Sequence, residues 1–357
     1  MDSTSHEPVL TREIVELLAV HEGPGIIVDA TVGMGGHAVA LLAHSAEDVA
    51  LVGFDRDPDA LELAARRLAA FRSRVHLLHA GYHELWARVE PLRAELGPVK
   101  AVLYDLGVSS LQLDRGERGF SFQHDAPLDM RMDPSATTTA ADLVNDATVE
   151  HLRAILRDYG EERHAGRIAR AIVAARPLRT TAELVDVVRA ALPRGARTAL
   201  RHPATRTFQA LRIAVNDELN LFRASLPQAL ELATPTTPSS ARGGRVAVLS
   251  YHSLEDRIAK RIFVDAVTGC VCPPGLPVCG CGRQPRARLL IRGVTRPSDE
   301  EIQRNRRARS AKLRAVEMLP PEQGEGGREA AGGRGPEQGE CGREAAGRRA
   351  PEREEEH

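Results

Sequence analysis

The chain has 357 residues and is 42% apolar, which is enough to bury substantial cores and excludes a wholly disordered protein. Aromatic residues make up only 3%, leaving Leu, Val, Ile and Ala to fill those cores. The near-neutral net charge of −1, the lack of any stretch as apolar as a membrane span and an N-terminus without signal-peptide layout lead us to expect a cytoplasmic chain with no membrane partner, its five cysteines thiols or metal ligands rather than disulfides.

In chain order, the first hundred residues alternate apolar runs with helical patterns, the rhythm of a parallel βαβ sheet. "GIIVDA", "VALVGFD", "RVHLLHA" and "KAVLYDL" read as strands, and "AVALLAH", "DALELAARRLAAF" and "HELWARVEPLRAEL" as the helices between them. The segment "DRGERGFSFQHDAPLDMRMDP" is polar and too long for an ordinary βα loop. Four helical stretches without a convincing strand follow: "TAADLVNDA", "TVEHLRAILRDYG", "ERHAGRIARAIVAAR" and "TTAELVDVVRAAL". A single long helix, "ATRTFQALRIAVNDELNLFRASLPQALEL", then leads back to a strand, "GGRVAVLSYHS", and a helix, "LEDRIAKRIFVDA". We expect an α/β fold in which a doubly wound sheet, 1–114 and 212–318, is interrupted by an all-helical insertion, 115–211. Residues 319–357 hold a fifteen-residue tandem repeat rich in Gly, Glu and Arg, which has too little apolar surface to form a core and is expected to be disordered.

Charge is segregated within the chain. His151–Val215 carries thirteen Arg against five acids, and Gly282–Val316 carries eleven Arg or Lys against three. Two basic blocks suit a polyanionic partner, although Arg-rich solvated helices have the same composition.

The loop "VDATVGMGGHA" decides the chemistry. Gly33, Gly35 and Ala38 satisfy the letter of the dinucleotide fingerprint G-x-G-x-x-G/A. However, Asp29 closes the strand just before it, where a carboxylate would repel a pyrophosphate and suit a cation such as the ammonium of S-adenosylmethionine. Asp55 ends the second strand 22 residues after Gly33, where an acid accepts hydrogen bonds from ribose hydroxyls in either cofactor class, so the loop itself favours a methyl donor and leaves a dinucleotide or a purely structural turn open. The glycines let the backbone approach a ligand, and His37 can add a donor. Tyr82 follows the third strand, where a ring can lie against an adenine, and Asp105 ends the fourth.

At "DLGVSSLQLD…RGFSFQHDAPLDMRMD" the sequence becomes specific. With "HEPVL", "VDATVGMGGHA", "FDRDPDAL", "YGEERHAGRIARAIV", "HPATRTFQALRIAVNDEL" and "SYHSLEDRIAKRIF", it resembles the bacterial small-subunit (16S) ribosomal RNA cytosine-N4 methyltransferases from about His6 to Met318. The resemblance implies a class I Rossmann-like methyltransferase sheet with an inserted helical domain. It also implies S-adenosylmethionine as cofactor, and methylation of the exocyclic amine of a decoding-centre cytosine in ribosomal RNA, the 30S subunit or an assembly intermediate. Carried over by position, cofactor contacts fall on Gly35, Gly36, His37, Asp55, Tyr82, Asp105 and Gln112, the last of which nothing else singles out. Asp105 is also the candidate catalytic group. Where many amino-methyltransferases carry Asp/Asn-Pro-Pro-aromatic, this chain has Asp105-Leu106-Gly107-Val108-Ser109, so the ring that stacks on the base must come from elsewhere: Phe120, Phe122, Tyr251 or His252. Ser253 is expected to cap the helix that follows "SYH". Arg201, His202, Arg206 and Arg212 form the expected RNA contact, with Phe208 in the core. Rival functions are methylation of another amine, in DNA or protein, and a non-catalytic RNA-binding assembly factor.

One motif stays outside this scheme. "CVCPPGLPVCGC" sets Cys270, Cys272, Cys279 and Cys281 as two C-x-C pairs across a Pro/Gly turn, suited either to a closed zinc site or to free thiols and adventitious disulfides. No metal is expected among the residues of the reaction site.

Overall fold

The computed structural model describes residues 8–114, 116–193, 202–236, 242–273 and 280–321. Seven strands form one sheet: β1 (Gly25–Asp29), β2 (Val49–Asp55), β3 (Val75–His79), β4 (Val99–Asp105), β5 (Arg245–Ser250), β6 (Ala287–Leu289) and β7 (Lys312–Met318), in the order β3-β2-β1-β4-β5-β7-β6. β1 to β5 run parallel, and β7 lies antiparallel between β5 and β6. A parallel sheet is covered on both faces, which is why Ile26–Val28 of β1, Ala101–Tyr104 of β4 and Val246–Leu249 of β5 read as apolar runs. Alternate residues serve the two faces. Val28, Val102, Tyr104 and Val248 pack with Phe222, Leu226 and Phe263 on one side. Ile27, Leu103 and Leu249 pack with Ile14, Leu18 and Leu41 on the other.

The five strands expected from apolar runs are present, and β6 and β7 were not anticipated. The reason lies in the ion pairs of β7. Lys312 and Arg314 both reach Asp256, at 3.2 and 2.7 Å, and buried Glu317 takes Arg245 and Arg288, at 3.2 and 2.8 Å. Partnered charges interrupt the apolar pattern by which a strand is recognised in sequence.

The long helix expected over 204–232 is two helices, Thr205–Asn216 and Glu218–Ala233. Asp217 between them is left-handed, with φ 50°. The break is over-determined by buried Asn216. Its amide donates to Met130 O (2.7 Å) and Arg212 O (2.9 Å), its side-chain oxygen accepts from Met132 N–H (2.7 Å), and its own carbonyl accepts from Arg56 (2.8 Å). The helix expected over 83–96 is also broken, into Leu85–Val89 and Arg93–Leu96, around Pro91, which cannot continue the ladder.

The helices Ala140–Asp146, Val149–Asp158, Ala165–Ala174, Thr181–Ala191 and Thr205–Asn216 surround a third core, built on Leu152, Ile168, Ile172, Leu184 and Phe208 and joined by Phe120, Leu128 and Met130 of the preceding segment. Thr139 and Thr180 close capping boxes with Asp142 and Glu183, so two helix starts lie where the sequence places them. The repeat, from Glu322 on, lies outside the described residues. Leu319 just before it still donates its N–H to Arg286 O, at 2.8 Å. Among the described residues, no helix is long and apolar enough to cross a membrane.

Candidate functional site

Strand order reverses between β1 and β4, the switch point beyond whose carboxyl ends open α/β sheets bind ligands. A cleft of about 410 Å³ opens there, within the range of ordinary ligand pockets. Gly33, Gly36, His37, Asp55, Tyr82, Asp105 and Gln112 all line it.

The glycine loop brings the backbone to the cleft floor. Gly33 has φ 51° and donates its N–H to Asp55 Oδ2 (2.8 Å), while Asp57 N–H donates to Oδ1 (2.9 Å), so both carboxylate oxygens are oriented before any ligand arrives. Gly35 is placed differently. It caps the helix Gly36–Ala43 at φ 79°, and a Cβ there would lie 3.3 Å from Ala64 Cα, so it serves the close approach of the helix Pro58–Arg67 rather than lining the cleft. A Cβ on Gly36 would meet Pro8 Cγ at 2.5 Å.

His37 follows in the first turn of that helix, 5% exposed, and neither ring nitrogen has a hydrogen-bond partner among the described residues. Nε2 is 3.4 Å from Asp105 Oδ2, facing it without a well-formed bond. A buried polar group left unpaired costs about 1–3 kcal/mol, and one that faces a cleft is a place for a ligand atom. Asp105 is held from two sides: its N–H donates to Thr31 Oγ1 (2.7 Å) and its Oδ1 accepts from Tyr251 OH (2.9 Å). Tyr82 donates to Glu218 O at 3.2 Å and packs edge-on to Tyr104 at 5.9 Å. Gln112 is buried, donating to Asp57 Oδ2 (3.2 Å) and accepting from Ser109 N–H (3.1 Å), so its amide braces the wall of the cleft.

Asp29 does not line the cleft, so the expectation that it meets a cationic ligand directly is not met. It is buried, accepts from Thr31 N–H at 3.2 Å, and burial pushes its carboxyl up to about 7. Burial likewise raises Asp55 to about 6. Both therefore stand where a nearby positive charge would favour ionisation. Tyr251 is raised by burial and then by Asp105, which keeps its hydroxyl protonated and donating. Burial works against the Glu255 carboxylate, yet His252 and Arg212 hold it below its usual range.

The helix cap after "SYH" is His252 rather than Ser253. His252 Nδ1 accepts from Glu255 N–H, and Ser253 is the first helical residue, its hydroxyl donating to Glu161. Of the four candidate stacking rings, Tyr251 and His252 line the cleft, and Phe120 and Phe122 belong to the third core. Arg212, expected among the RNA contacts, is engaged within the protein. It makes a bidentate ion pair with Glu218, at 2.8 and 3.0 Å, on the cleft wall. The helix break between the two residues hides that pairing from sequence. His202 is stacked on Phe122 (4.3 Å, 18°), away from the cleft. Arg206 is exposed, 4.0 Å from Glu162. Arg201 and Cys279 lie outside the described residues. Phe208 is core, as expected.

Sequence reasoning also missed a buried ion pair beneath the cleft. Asp57, fully buried, pairs with Arg118, whose guanidinium also donates to the carbonyls of Arg131 (2.8 Å) and Met132 (2.9 Å). The "FDRDP" and "RGF" motifs that supply the two residues lie 61 positions apart.

The sequence profile of the MraW methylase family matches residues 3–319, which span all seven strands. The ribosomal RNA small subunit methyltransferase H of Heliobacterium modesticaldum is 48% identical over 317 residues, 88% of this chain and 98% of that one. Proteins of the same name from Syntrophotalea carbinolica and Geobacter sulfurreducens are 50% and 51% identical, again over 88% of this chain and at least 98% of theirs. With a profile match over nearly all of the described chain and relatives this similar along almost their full length, the chain belongs to the MraW methylase family.

Proposed function

We infer that this protein transfers the methyl group of S-adenosylmethionine to the exocyclic N4 amine of a decoding-centre cytosine in small-subunit ribosomal RNA. The observation that carries the reading is the convergence, at the β1/β4 switch point, of the Asp55 and Asp105 carboxylates with a buried His37 whose ring nitrogens have no hydrogen-bond partner among the described residues. These residues fit the cofactor: Asp55 the ribose hydroxyls, Tyr82 the adenine face, and His37 with Asp105 the amino-acid end. Bound there, S-adenosylmethionine supplies an electrophilic methyl on a positively charged sulfur. The protein supplies position and a dry site, from which most of the acceleration comes.

The N4 lone pair of cytosine is delocalised into its ring and is a weak nucleophile. With Oδ1 engaged by Tyr251, Asp105 Oδ2 would be the oxygen to accept an N4 hydrogen, favouring a pyramidal nitrogen and receiving the proton that N4 gives up as the methyl leaves the sulfonium sulfur for it. Tyr251, beside it, is the ring placed to hold the base.

Labelled methyl transfer to small subunits, followed by nucleoside mass spectrometry, tests the reading. N4-methylcytidine is the expected product. Label on DNA, on protein or on nothing sinks it in favour of one of the rival functions.

The cofactor assignment has its own expected result. Asp55→Ala weakens S-adenosylmethionine binding by about 2 kcal/mol, roughly thirtyfold, for loss of charge-assisted hydrogen bonds. In the unsubstituted protein, affinity falls as pH drops through about 6, where Asp55 takes up a proton and loses acceptor capacity. Calorimetric titration showing equal affinity in both proteins removes Asp55 from the pocket.

The RNA is assigned to the helical segment 115–211, acting as an RNA-binding insertion on the methyltransferase halves 1–114 and 212–318, in cytoplasmic 30S subunits or their precursors. Arg206 is exposed and does not line the cleft, and His202 lies four positions before it in the chain. Replacing Arg201 and Arg206 together with Ala is expected to raise KM for subunits and to flatten the salt dependence of RNA binding, with S-adenosylmethionine affinity unchanged. Paired titrations at two salt concentrations check this. Loss of cofactor binding instead would place these arginines at the wrong ligand.

A further inference from the structure

The cysteine motif does not touch the cleft, and the methyl-transfer chemistry leaves it without a role. Cys270, Cys272 and Cys281 come together in the connection between the helix Ser253–Val267 and β6, their three Sγ atoms all within 4.8 Å of one another. Cys281 Sγ is 3.8 Å from Cys270 Sγ. That is far beyond a disulfide, whose sulfurs are about 2.05 Å apart. It equals the edge of a tetrahedron of sulfurs around zinc, about 3.8 Å for a Zn–S bond of about 2.3 Å. A second observation concerns charge. The N–H of Cys272 points at Cys270 Sγ, at 3.4 Å, a donor suited to a thiolate.

We propose that Cys270, Cys272 and Cys281 bind a structural zinc ion. Zinc suits the donor set because soft thiolates select it and it has no geometric preference to frustrate. Binding displaces the thiol protons to solvent, and nothing is oxidised or reduced. The ion staples the connection between the helix and β6, whose described residues contain no helix or strand. Its base is already closed by Arg286 N–H on Ala266 O (2.8 Å) and Arg283 on the Asp265 carboxylate (2.7 Å), and the thiolates close the part beyond. What is held in place is the entry to β6 and, through it, a basic stretch containing Arg283, Arg286, Arg288 and Arg292. Cys279 of the motif lies outside the described residues.

The full chain, purified under reducing conditions, is analysed for metals by mass spectrometry. We expect about one zinc per chain, falling about tenfold or more in the Cys270→Ser, Cys281→Ser double variant. Because that variant could misfold, the deciding measurement uses the unsubstituted protein. It is stripped by chelation and titrated with Co²⁺, and the expected spectrum combines tetrahedral d–d bands with thiolate charge transfer, bleached by one equivalent of Zn²⁺. Retention of no zinc, an octahedral cobalt spectrum, the absorption of an iron–sulfur cluster, or zinc content unchanged in the double variant overturns the site.

Discussion

Replacing Asp105 by Asn is expected to lower the turnover of methyl transfer by about a hundredfold or more while the fold survives. Asn is nearly isosteric. Its oxygen can still accept from Tyr251 OH, and its backbone N–H still donates to Thr31 Oγ1, so the end of β4 keeps its position. What changes is the second oxygen, 3.4 Å from His37 Nε2 in the native site, which becomes an amide donor. A donor there faces the hydrogens of the cytosine amine instead of accepting one, and the departing proton loses its acceptor. Tyr251→Phe should cost less, because the carboxylate remains and only its orientation relaxes. The measurement is single-turnover methyl transfer at saturating S-adenosylmethionine, with cofactor affinity titrated separately. Turnover of Asp105→Asn within a factor of about three of the native protein would make Asp105 a cofactor contact alone and send the search for the proton acceptor elsewhere.

That prediction draws on both the legible and the illegible parts of the chain. The ends of β1, β2 and β4 could be read because parallel strands are apolar along their whole length and an acid at each end stands out against them. What those acids face could not be read. Asp55 and Asp105 turn into the cleft, whereas Asp29 is buried behind it, and the difference rests on side-chain directions that only the folded neighbours decide. Arg212 shows the same limit. In sequence it belongs to a basic block, and in the structure it is spent on Glu218 across a helix break that Asn216 imposes. β7 was hidden for a related reason, since its charges are paired with neighbouring strands and with the helix Ser253–Val267 rather than solvated. Periodicity reports which residues are apolar, and it cannot report which charges have partners.

The Asp57–Arg118 pair is the case with the largest expected effect on stability. Arg118→Ala should destabilise the protein by about 3–5 kcal/mol, as removal of one partner from a buried ion pair does. Asp57 is fully buried, and without Arg118 its carboxylate keeps, among the described residues, the Gln112 amide and the N–H of Asp59, each at 3.2 Å. The carbonyls of Arg131 and Met132 lose their donors in the same step. The damage should reach the cofactor, because Asp57 N–H orients Asp55 and both Gln112 and Met132 line the cleft. Adding Asp57→Asn to the Arg118→Ala background removes the stranded charge, so that double variant should recover much of the lost stability without restoring cofactor affinity. Urea unfolding of the native protein, the two single variants and the double variant, each with a parallel S-adenosylmethionine titration, closes the cycle. If Arg118→Ala loses less than about 1 kcal/mol, the magnitude of an exposed pair, then water reaches Asp57 and the ion pair is not what joins the "RGF" segment to the cofactor loop.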